Sequence, residues 1–421
     1  MELNVPEVFG RRESSCSSFG HCNYALTWRR MKSRLVVAMS MIIAVTFFAS
    51  MDVAGASTSR YLTSIWFSSP ANGYGAVIQT ITSASGSSLA CTDYVGLTSD
   101  GGRRFRNFTR IGTWNCAHAG GATALTFDGA GDGFFYGPNL YESHDAGTTW
   151  SRVRTSGRVV DISTIGRSVW MIEALCTPQE VARNAMCPLK MQQSSDGGRN
   201  WSGPATLPGT TLAFPAAGAA PAAGQTILTR LDQRRGVYSI APWVTGSVRS
   251  GRVQTWVTDN AGRSWVRRDI TCDIPTMSEM LAISPSDVWT AVCAGEPSTG
   301  SQEKSVVRST NQGRTWRFVT GCSTSQQSCG GLLSVGYLGV VSAPSTALLV
   351  ESGMRSPLRV SRNGGRTWTS INGAVSDSGD GVVSIQFFGP RQGLGLTSSS
   401  NLIVHTADGG VHWQTYRARV G

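Results

Sequence analysis

The sequence predicts an all-β protein, a seven-bladed β-propeller built from four-stranded antiparallel blades. A pattern of eight residues, Ser/Thr-x-Asp/Asn-x-Gly-x-x-Trp/Phe, occurs seven times and is called the box below. The box glycines follow one another at intervals of 45, 51, 64, 51, 52 and 45 residues, which is the repeat length of a four-stranded blade. Apolar and polar residues alternate before and after the boxes, a pattern typical of strands.

Each box has the composition of a tight β-hairpin turn. An Asp or Asn side chain can accept hydrogen bonds from the backbone of its own turn, Gly adopts the positive φ that other residues resist, and the aromatic ring can pack on the hairpin. We therefore expect the acidic or amide residue to cap the turn, so that replacing Asp145, Asp196 or Asp408 by Ala destabilises the fold. The predicted structural residues of the seven boxes are Asp100 and Gly102; Asp145, Gly147 and Trp150; Asp196, Gly198 and Trp201; Asn260, Gly262 and Trp265; Asn311, Gly313 and Trp316; Asn363, Gly365 and Trp368; and Asp408, Gly410 and Trp413.

A second predicted hairpin precedes the box in each repeat. In the last repeat, apolar runs at 383–388 and 394–397 flank a turn rich in Gly and Pro. With the four strands labelled A to D, the box becomes the C–D turn. Antiparallel order then places every box and every A–B turn on one face of the propeller, and the B–C and D–A connections on the other. An Ala, Pro and Gly stretch at 214–224 predicts a long surface loop before the fourth blade.

Residues 1–56 differ from the rest of the chain and predict a secretory signal. Basic residues precede an apolar run at 35–48, and small residues end the segment at Ala56. We expect cleavage after Ala56, a secreted or periplasmic protein, and a single propeller domain over 57–421. Met31 would begin a signal of ordinary length and is the expected start. The apolar run is shorter than the roughly 20 residues of a bilayer span, so a retained anchor is the less favoured alternative.

Eight cysteines follow the predicted signal, and an even number in an exported chain predicts disulfides. The strand order places them in neighbouring connections on the face opposite the boxes. Such cross-links could stabilise an exported fold or present a rigid loop surface to a partner. No Cys or His spacing fits a zinc site, so no metal and no cofactor is predicted. The expected pairs are Cys91–Cys116, Cys176–Cys187, Cys272–Cys293 and Cys322–Cys329.

Arginines recur beside the box glycine. The residue after that glycine is arginine in five boxes, and the formal net charge of the chain is +11. A basic box face predicts that this protein binds another protein or an anionic polymer outside the cytoplasm. We expect the protein itself to be a monomer. Nucleic acid is not expected for an exported chain. In the alternative interpretation, these arginines are solvated and stack on the box aromatics. The five are Arg103, Arg199, Arg263, Arg314 and Arg366, and Arg167, Arg234, Arg235 and Arg391 fall in predicted A–B turns.

The seven boxes resemble the Asp-box, or BNR, repeat of bacterial sialidases and sortilin-type propellers. The opening at 65–67 and 73–76, together with the box at 361–368 (SRNGGRTW), is most similar to the photosystem II stability and assembly factor-like family. That resemblance implies an exported, non-catalytic binding or assembly propeller. A sortilin-like peptide-binding module is a further alternative. The box itself indicates the fold and not the function, because enzymes and binding proteins share it.

A glycoside hydrolase of sialidase type is the alternative that the wider resemblance implies. Sialidases bind a carboxylate with three arginines and open with an arginine-bearing first strand, whereas the first predicted strand here reads Ser-Ile-Trp-Phe-Ser at 64–68. Glycoside cleavage would also need two converging acids. Glu142, Glu173 and Glu351 lie near predicted strands, and we expect each to be a solvated acid at a strand edge.

Overall fold

The computed structural model describes most of the chain beyond the predicted signal. The chain divides into two compact units, 1–52 and 53–421, and the first lies outside the described residues. Within the described ranges no helix is long and apolar enough to cross a bilayer. The described residues are 56–116, 124–177, 179–180, 186–203, 205–213, 226–240, 254–274, 278–283, 288–298, 301–322, 341–342, 348–350, 359–362, 367, 369–370, 382–397 and 401–421.

The strands form seven four-stranded antiparallel sheets, each built from four consecutive strands in chain order. The first three sheets contain β1 (Ser57–Phe67), β2 (Gly73–Thr82), β3 (Ser88–Thr98) and β4 (Arg106–Trp114); β5 (Ala124–Phe127), β6 (Gly133–Tyr136), β7 (Leu140–Ser143) and β8 (Ser151–Val153); and β9 (Arg158–Ile165), β10 (Ser168–Ala174), β11 (Met186–Ser194) and β12 (Ala205–Ala213). The fourth and fifth contain β13 (Thr226–Arg230), β14 (Gly236–Ile240), β15 (Gln254–Thr258) and β16 (Val266–Arg267); and β17 (Ser278–Ile283), β18 (Trp289–Ser298), β19 (Ser301–Ser309) and β20 (Arg317–Gly321). The last two contain β21 (Val341–Ser342), β22 (Leu348–Val350), β23 (Arg359–Ser361) and β24 (Thr369–Ser370); and β25 (Val382–Phe387), β26 (Gly393–Thr397), β27 (Leu402–Thr406) and β28 (Gln414–Arg417).

The prediction of a seven-bladed propeller is corrected to six full blades. Six blades are described together with their box turns, whereas β21 to β24 form a short sheet whose strands have only two or three residues. The box residues Asn363, Gly365, Arg366 and Trp368 lie outside the described residues, as does the 214–224 stretch. The sequence at 323–358 contains five glycines and two prolines, which are unfavourable in strands. The architecture of four-stranded antiparallel blades is confirmed.

The core lies between neighbouring sheets. The innermost strands contact one another in sequence, with β5 against β1, β9 against β5 and β13 against β9, and the series returns from β25 to β1. Apolar side chains fill each space between sheets. Phe127 and Phe135 of the second sheet, for example, pack with Ala76 and Val95 of the first. Because side chains alternate across a strand, each blade can pack on both of its neighbours.

The last sheet closes against the first without exchanging a strand. Amide side chains connect the two: Gln386 accepts from the Phe67 N–H at 3.0 Å and donates to the Phe67 carbonyl at 2.7 Å. Asn401 accepts from the Leu62 N–H at 2.7 Å. The C-terminal tail then runs along the first box, where Arg419 accepts from the Phe105 N–H at 2.9 Å. The buried side chains Leu62, Phe67, Phe105, Ile403, Ala418 and Val420 pack together in this closure.

Three disulfides join the predicted cysteine pairs, namely Cys91–Cys116, Cys176–Cys187 and Cys272–Cys293. Cys322 is also disulfide-bonded, and its predicted partner Cys329 lies outside the described residues. The three described bridges connect strands or adjacent links within 25 residues of one another in sequence. They therefore restrain local connections and do not cross the propeller.

Candidate functional site

Six box turns share one hydrogen-bond pattern, centred on the Ser or Thr that opens the box. In the second box, Ser143 Oγ accepts from the Gly147 N–H at 2.8 Å and donates to Asp145 Oδ1 at 2.8 Å. Asp145 Oδ1 in turn accepts from the Thr149 N–H at 2.8 Å. In the fourth and fifth boxes, Asn260 and Asn311 take the place of the aspartate. The predicted cap was the Asp or Asn alone; the hydroxyl was not predicted, although Ser or Thr occupies this position in all seven boxes.

The box also binds the A–B turn of its own blade. The residue before the box glycine has positive φ, including Ala146 at 56° and Ala261 at 59°. In this conformation its N–H points to the A–B turn, so that Ala146 donates to the Gly131 carbonyl and Ala261 to the Arg234 carbonyl. Equivalent bonds join Gly101 to Ala71, Gly197 to Arg167 and Gly409 to Arg391. Box turns and A–B turns thus share one face, called the box face below.

The predicted box-face arginines have different surroundings. Arg103 stacks on Tyr416 of the last blade, with 4.7 Å between its Cζ and the ring centroid, and not on its own box aromatic Phe105. Arg199 donates to Asp132 in the A–B turn of the second blade. Arg263 and Arg314 are exposed and form no side-chain hydrogen bond or ion pair with the described residues. The structure therefore separates two arginines that connect blades from two that face solvent.

A charged cluster joins the second and third blades on this face. Asp132, which is 3% exposed, accepts from His144 Nδ1 at 2.9 Å and from Arg199 Nη1 at 3.1 Å. Burial opposes the charged form of Asp132, but the hydrogen bonds from His144 and Arg199 outweigh it and lower the pKa. Arg167 Nε lies 3.7 Å from the same carboxylate. Buried charge at this junction is therefore paired across two blades.

Glu142 belongs to the same cluster, and the expectation that it is a solvated acid is wrong. Its side chain is buried, accepts from the indole N–H of Trp201 at 2.9 Å and lies 3.8 Å from His144 Nε2. Burial raises its pKa to about 7, although the Trp201 hydrogen bond acts in the opposite direction. Glu142 immediately precedes the box residue Ser143, and its side chain reaches the neighbouring blade. The sequence pattern did not indicate this contact.

Glu173 is also buried, contrary to expectation. It lies near the end of β10 and accepts from the Ser156 N–H at 3.2 Å and from Gln192 Nε2 at 2.8 Å. Burial raises its pKa. Glu142 adjoins the box, whereas Glu173 lies at the opposite end of its blade beside Cys176, so the two acids do not form a pair. Glu351 lies outside the described residues.

A groove opens on the box face between the third and fourth blades. It has a volume of about 510 Å³ and is lined by the A–B turn of the third blade, by residues of the third box and by Gln233 and Ala261 of the fourth blade. The polar lining includes Arg167, Gln193, Ser195 and Gln233. Across the described part of the chain, no group of three or more His, Cys, Asp or Glu side chains could hold a metal ion.

Similarity to known proteins lies in the fold. No family model matches the chain. No curated protein matches its sequence. YCF48 from Cyanidioschyzon merolae is 16% identical with a TM-score of 0.51, and the alignment covers 84% of this chain and 98% of that one. A structure of YCF48 bound to D1 peptide is 16% identical, with a TM-score of 0.47 and coverage of 71% and 81%. The Hadza microbial sialidase Hz136 is 16% identical, with a TM-score of 0.39 and coverage of 82% and 77%. The similarity to YCF48 from Cyanidioschyzon merolae confirms the predicted resemblance as one of propeller fold.

Proposed function

We propose that this protein is an exported, non-catalytic β-propeller that binds an anionic partner, either a protein or a polymer, outside the cytoplasm. The observation that carries the proposal is the pair of exposed cations on the box face, Arg263 and Arg314, whose side chains have no partner among the described residues. The box turns beside them are already closed by hydrogen bonds of Ser, Thr and Asn side chains. Because neither arginine is needed to hold its turn, both remain available to a ligand.

Export is supported by the disulfides and by the position of the first strand. Disulfides persist in oxidising compartments and are rare in the cytosol. The first strand begins at Ser57, directly after the expected cleavage site. We propose that residues 1–56 act as a signal, that the propeller over 57–421 acts as a monomer, and that it is secreted or periplasmic.

The alternative function, a sialidase-like glycoside hydrolase, receives less support. Two acids flanking a glycosidic bond must lie within about 5 to 10 Å of each other. Glu142 and Glu173 lie at opposite ends of their blades. Asp132 approaches Glu142 across His144, but both carboxylates are buried, and Asp132 is bound by Arg199. Hydrolysis of a fluorogenic sialoside by the purified wild-type protein would nevertheless contradict the non-catalytic proposal.

Retention on native envelope fractions tests the binding proposal. Arg263→Gln/Arg314→Gln removes two box-face charges, and Arg110→Gln/Arg152→Gln removes two charges from the outer strands β4 and β8 as a matched control. We expect the first pair to weaken retention and to reduce its sensitivity to salt, because solvated charges are screened by added ions. The control pair should behave like the wild type. Equal retention of both pairs would contradict the proposed use of the box face.

A further inference from the structure

The groove between the third and fourth blades has polar groups that the fold itself does not use. Arg167 donates through Nη2 to the Asp196 carbonyl at 2.9 Å, and its Nε lies 3.7 Å from the Asp132 carboxylate. Its Nη1 forms no hydrogen bond with the described residues, and Arg167 lines the groove. The hydroxyl of Ser195 and the side-chain amide of Gln233 are likewise without hydrogen bonds to the described residues, and both residues are exposed. A volume of about 510 Å³ is in the range of small-ligand sites.

A second arginine lies buried beneath the groove. Arg230 is 8% exposed and stacks on Trp170, with 4.5 Å between its Cζ and the ring centroid. Its Nη1 donates to the Ser168 carbonyl at 2.5 Å, and both Ser168 and Trp170 line the groove. Its Nε has no hydrogen-bond partner within the described part of the chain. The carboxylate of neighbouring Asp232 is already bound by Arg235 at 2.6 Å. No described lining residue is acidic, and Asp132, the carboxylate beside Arg167, is also bound by Arg199 and His144. The groove therefore favours an anion.

The remaining lining favours a saccharide over a peptide. Peptides are commonly bound by a free strand edge or by apolar side-chain pockets. Four of the five strand residues in this groove lie on β10 and β11, each of which pairs with a strand on both sides, and the fifth, Ile165, is the last residue of β9. Its apolar side chains are Ile165, Ala261 and the fully buried Trp170. Separate hydroxyl and amide side chains, which both donate and accept, are suited to sugar hydroxyls.

We propose that this groove binds an acidic saccharide, with the carboxylate of a uronic acid unit placed at Arg167. The inference rests on the proposed binding function and names one class of ligand for the box face. The sugar hydroxyls would bond with Ser195 and Gln233, while Arg230 contributes positive potential from below.

Calorimetric titration with tri-galacturonic acid tests the proposal, with maltotriose as the neutral saccharide and acetyl-tetraglutamate as the acidic peptide. Arg167→Gln should lower the affinity for tri-galacturonic acid by about tenfold or more, because a charge-assisted hydrogen bond is lost. Arg391→Gln is the matched control, since the Arg391 carbonyl accepts the equivalent box N–H in the last blade. It should change the affinity less than about twofold.

A steric variant provides a test that does not alter charge. Ser195→Trp should block the groove, whereas Ser99→Trp places the same side chain at the equivalent exposed box position of the first blade. Thermal unfolding establishes that both variants are folded. Absence of tri-galacturonic acid binding by the folded wild type would overturn the proposal, as would equal losses in Arg167→Gln and Arg391→Gln or equally tight binding of tetraglutamate. The envelope-retention experiment on the Arg263 and Arg314 variant is independent of this titration. A negative result there would contradict the proposed function without contradicting the saccharide site.

Discussion

Two junctions between blades are held together by different chemistry. The second and third blades meet on the box face through buried charges, with Asp132 and Glu142 facing His144 and Arg199. The last and first blades meet through apolar side chains around Ile403 and through neutral hydrogen bonds of amide side chains. The contrast shows that the same repeat can be joined by either means, and that the buried carboxylates of the charged junction should make its stability depend on pH.

The largest effect is expected at the apolar closure. Ile403 is fully buried between the last and first blades. Ile403→Ala should lower the free energy of unfolding by about 2–5 kcal/mol, because it removes buried methyl groups and leaves a cavity. Val266→Ala, at a side chain that is 50% exposed, is the control and should cost less than about 0.5 kcal/mol. Chemical denaturation of both variants measures the difference, and similar losses would show that the closure does not depend on this packing.

The charged junction is tested by Glu142→Gln. Burial raises the pKa of Glu142 from 4.5 to about 7, so the folded protein takes up a proton that the unfolded chain has lost. Wild-type stability should therefore fall as the pH rises from about 4.5 to 7, by up to about 3 kcal/mol. Gln keeps the acceptor for Trp201 without the charge, so the variant should be more stable than the wild type at pH 8 and similar at pH 4.5. Melting temperatures across this range measure the effect, and an unchanged pH dependence in Glu142→Gln would contradict it.

The next largest effect on stability is expected at the box turn of the last blade. Asp408 accepts from the N–H groups of Val411 and His412 at 2.9 and 3.0 Å. Asp408→Ala should cost about 1–2 kcal/mol, as the loss of a comparable cap does. Asp408→Asn should keep most of this stability, because Asn260 and Asn311 fill the same position in the fourth and fifth boxes.

Acid titration distinguishes the two Asp408 variants further. Burial opposes ionisation of Asp408, but hydrogen bonds from His412 lower its pKa to about 2. A lowered pKa means that its contribution to stability is present above about pH 4 and is lost as the pH falls toward 2. Asp408→Asn should lose this acid dependence. If Asp408→Asn were as unstable as Asp408→Ala at pH 7, the hydrogen-bond account of the box would be wrong.

The smallest effect on stability is expected for the solvated arginines. Arg263→Gln should change the free energy of unfolding by less than about 0.5 kcal/mol, since the side chain is exposed and unpaired among the described residues. Arg199→Gln should cost more, because buried Asp132 would lose a hydrogen-bonded cation. Denaturant titration of the two variants compares them, and equal effects would remove the distinction between connecting and solvated arginines.

The repeating features could be predicted from the sequence because each is encoded locally. The box spacing indicated the blades, and the order of strands indicated three disulfide pairs that the structure contains. Contacts between blades could not be predicted in this way. Glu142 is followed directly by a box serine, yet its burial depends on Trp201, which lies 59 residues further along the chain. The stacking of Arg103 on Tyr416 likewise depends on ring closure.

Hydrogen exchange on the protein bound to native envelopes tests the central claim most directly, because it compares the two faces of the propeller in one experiment. The proposal predicts slower exchange on binding in the fourth and fifth boxes, at 258–265 and 309–316, with little change at the disulfide-bonded connections around Cys176 and Cys187. Arg263→Gln/Arg314→Gln should abolish that protection. Protection confined to the disulfide-bonded connections would place the partner on the opposite face and would contradict the proposal.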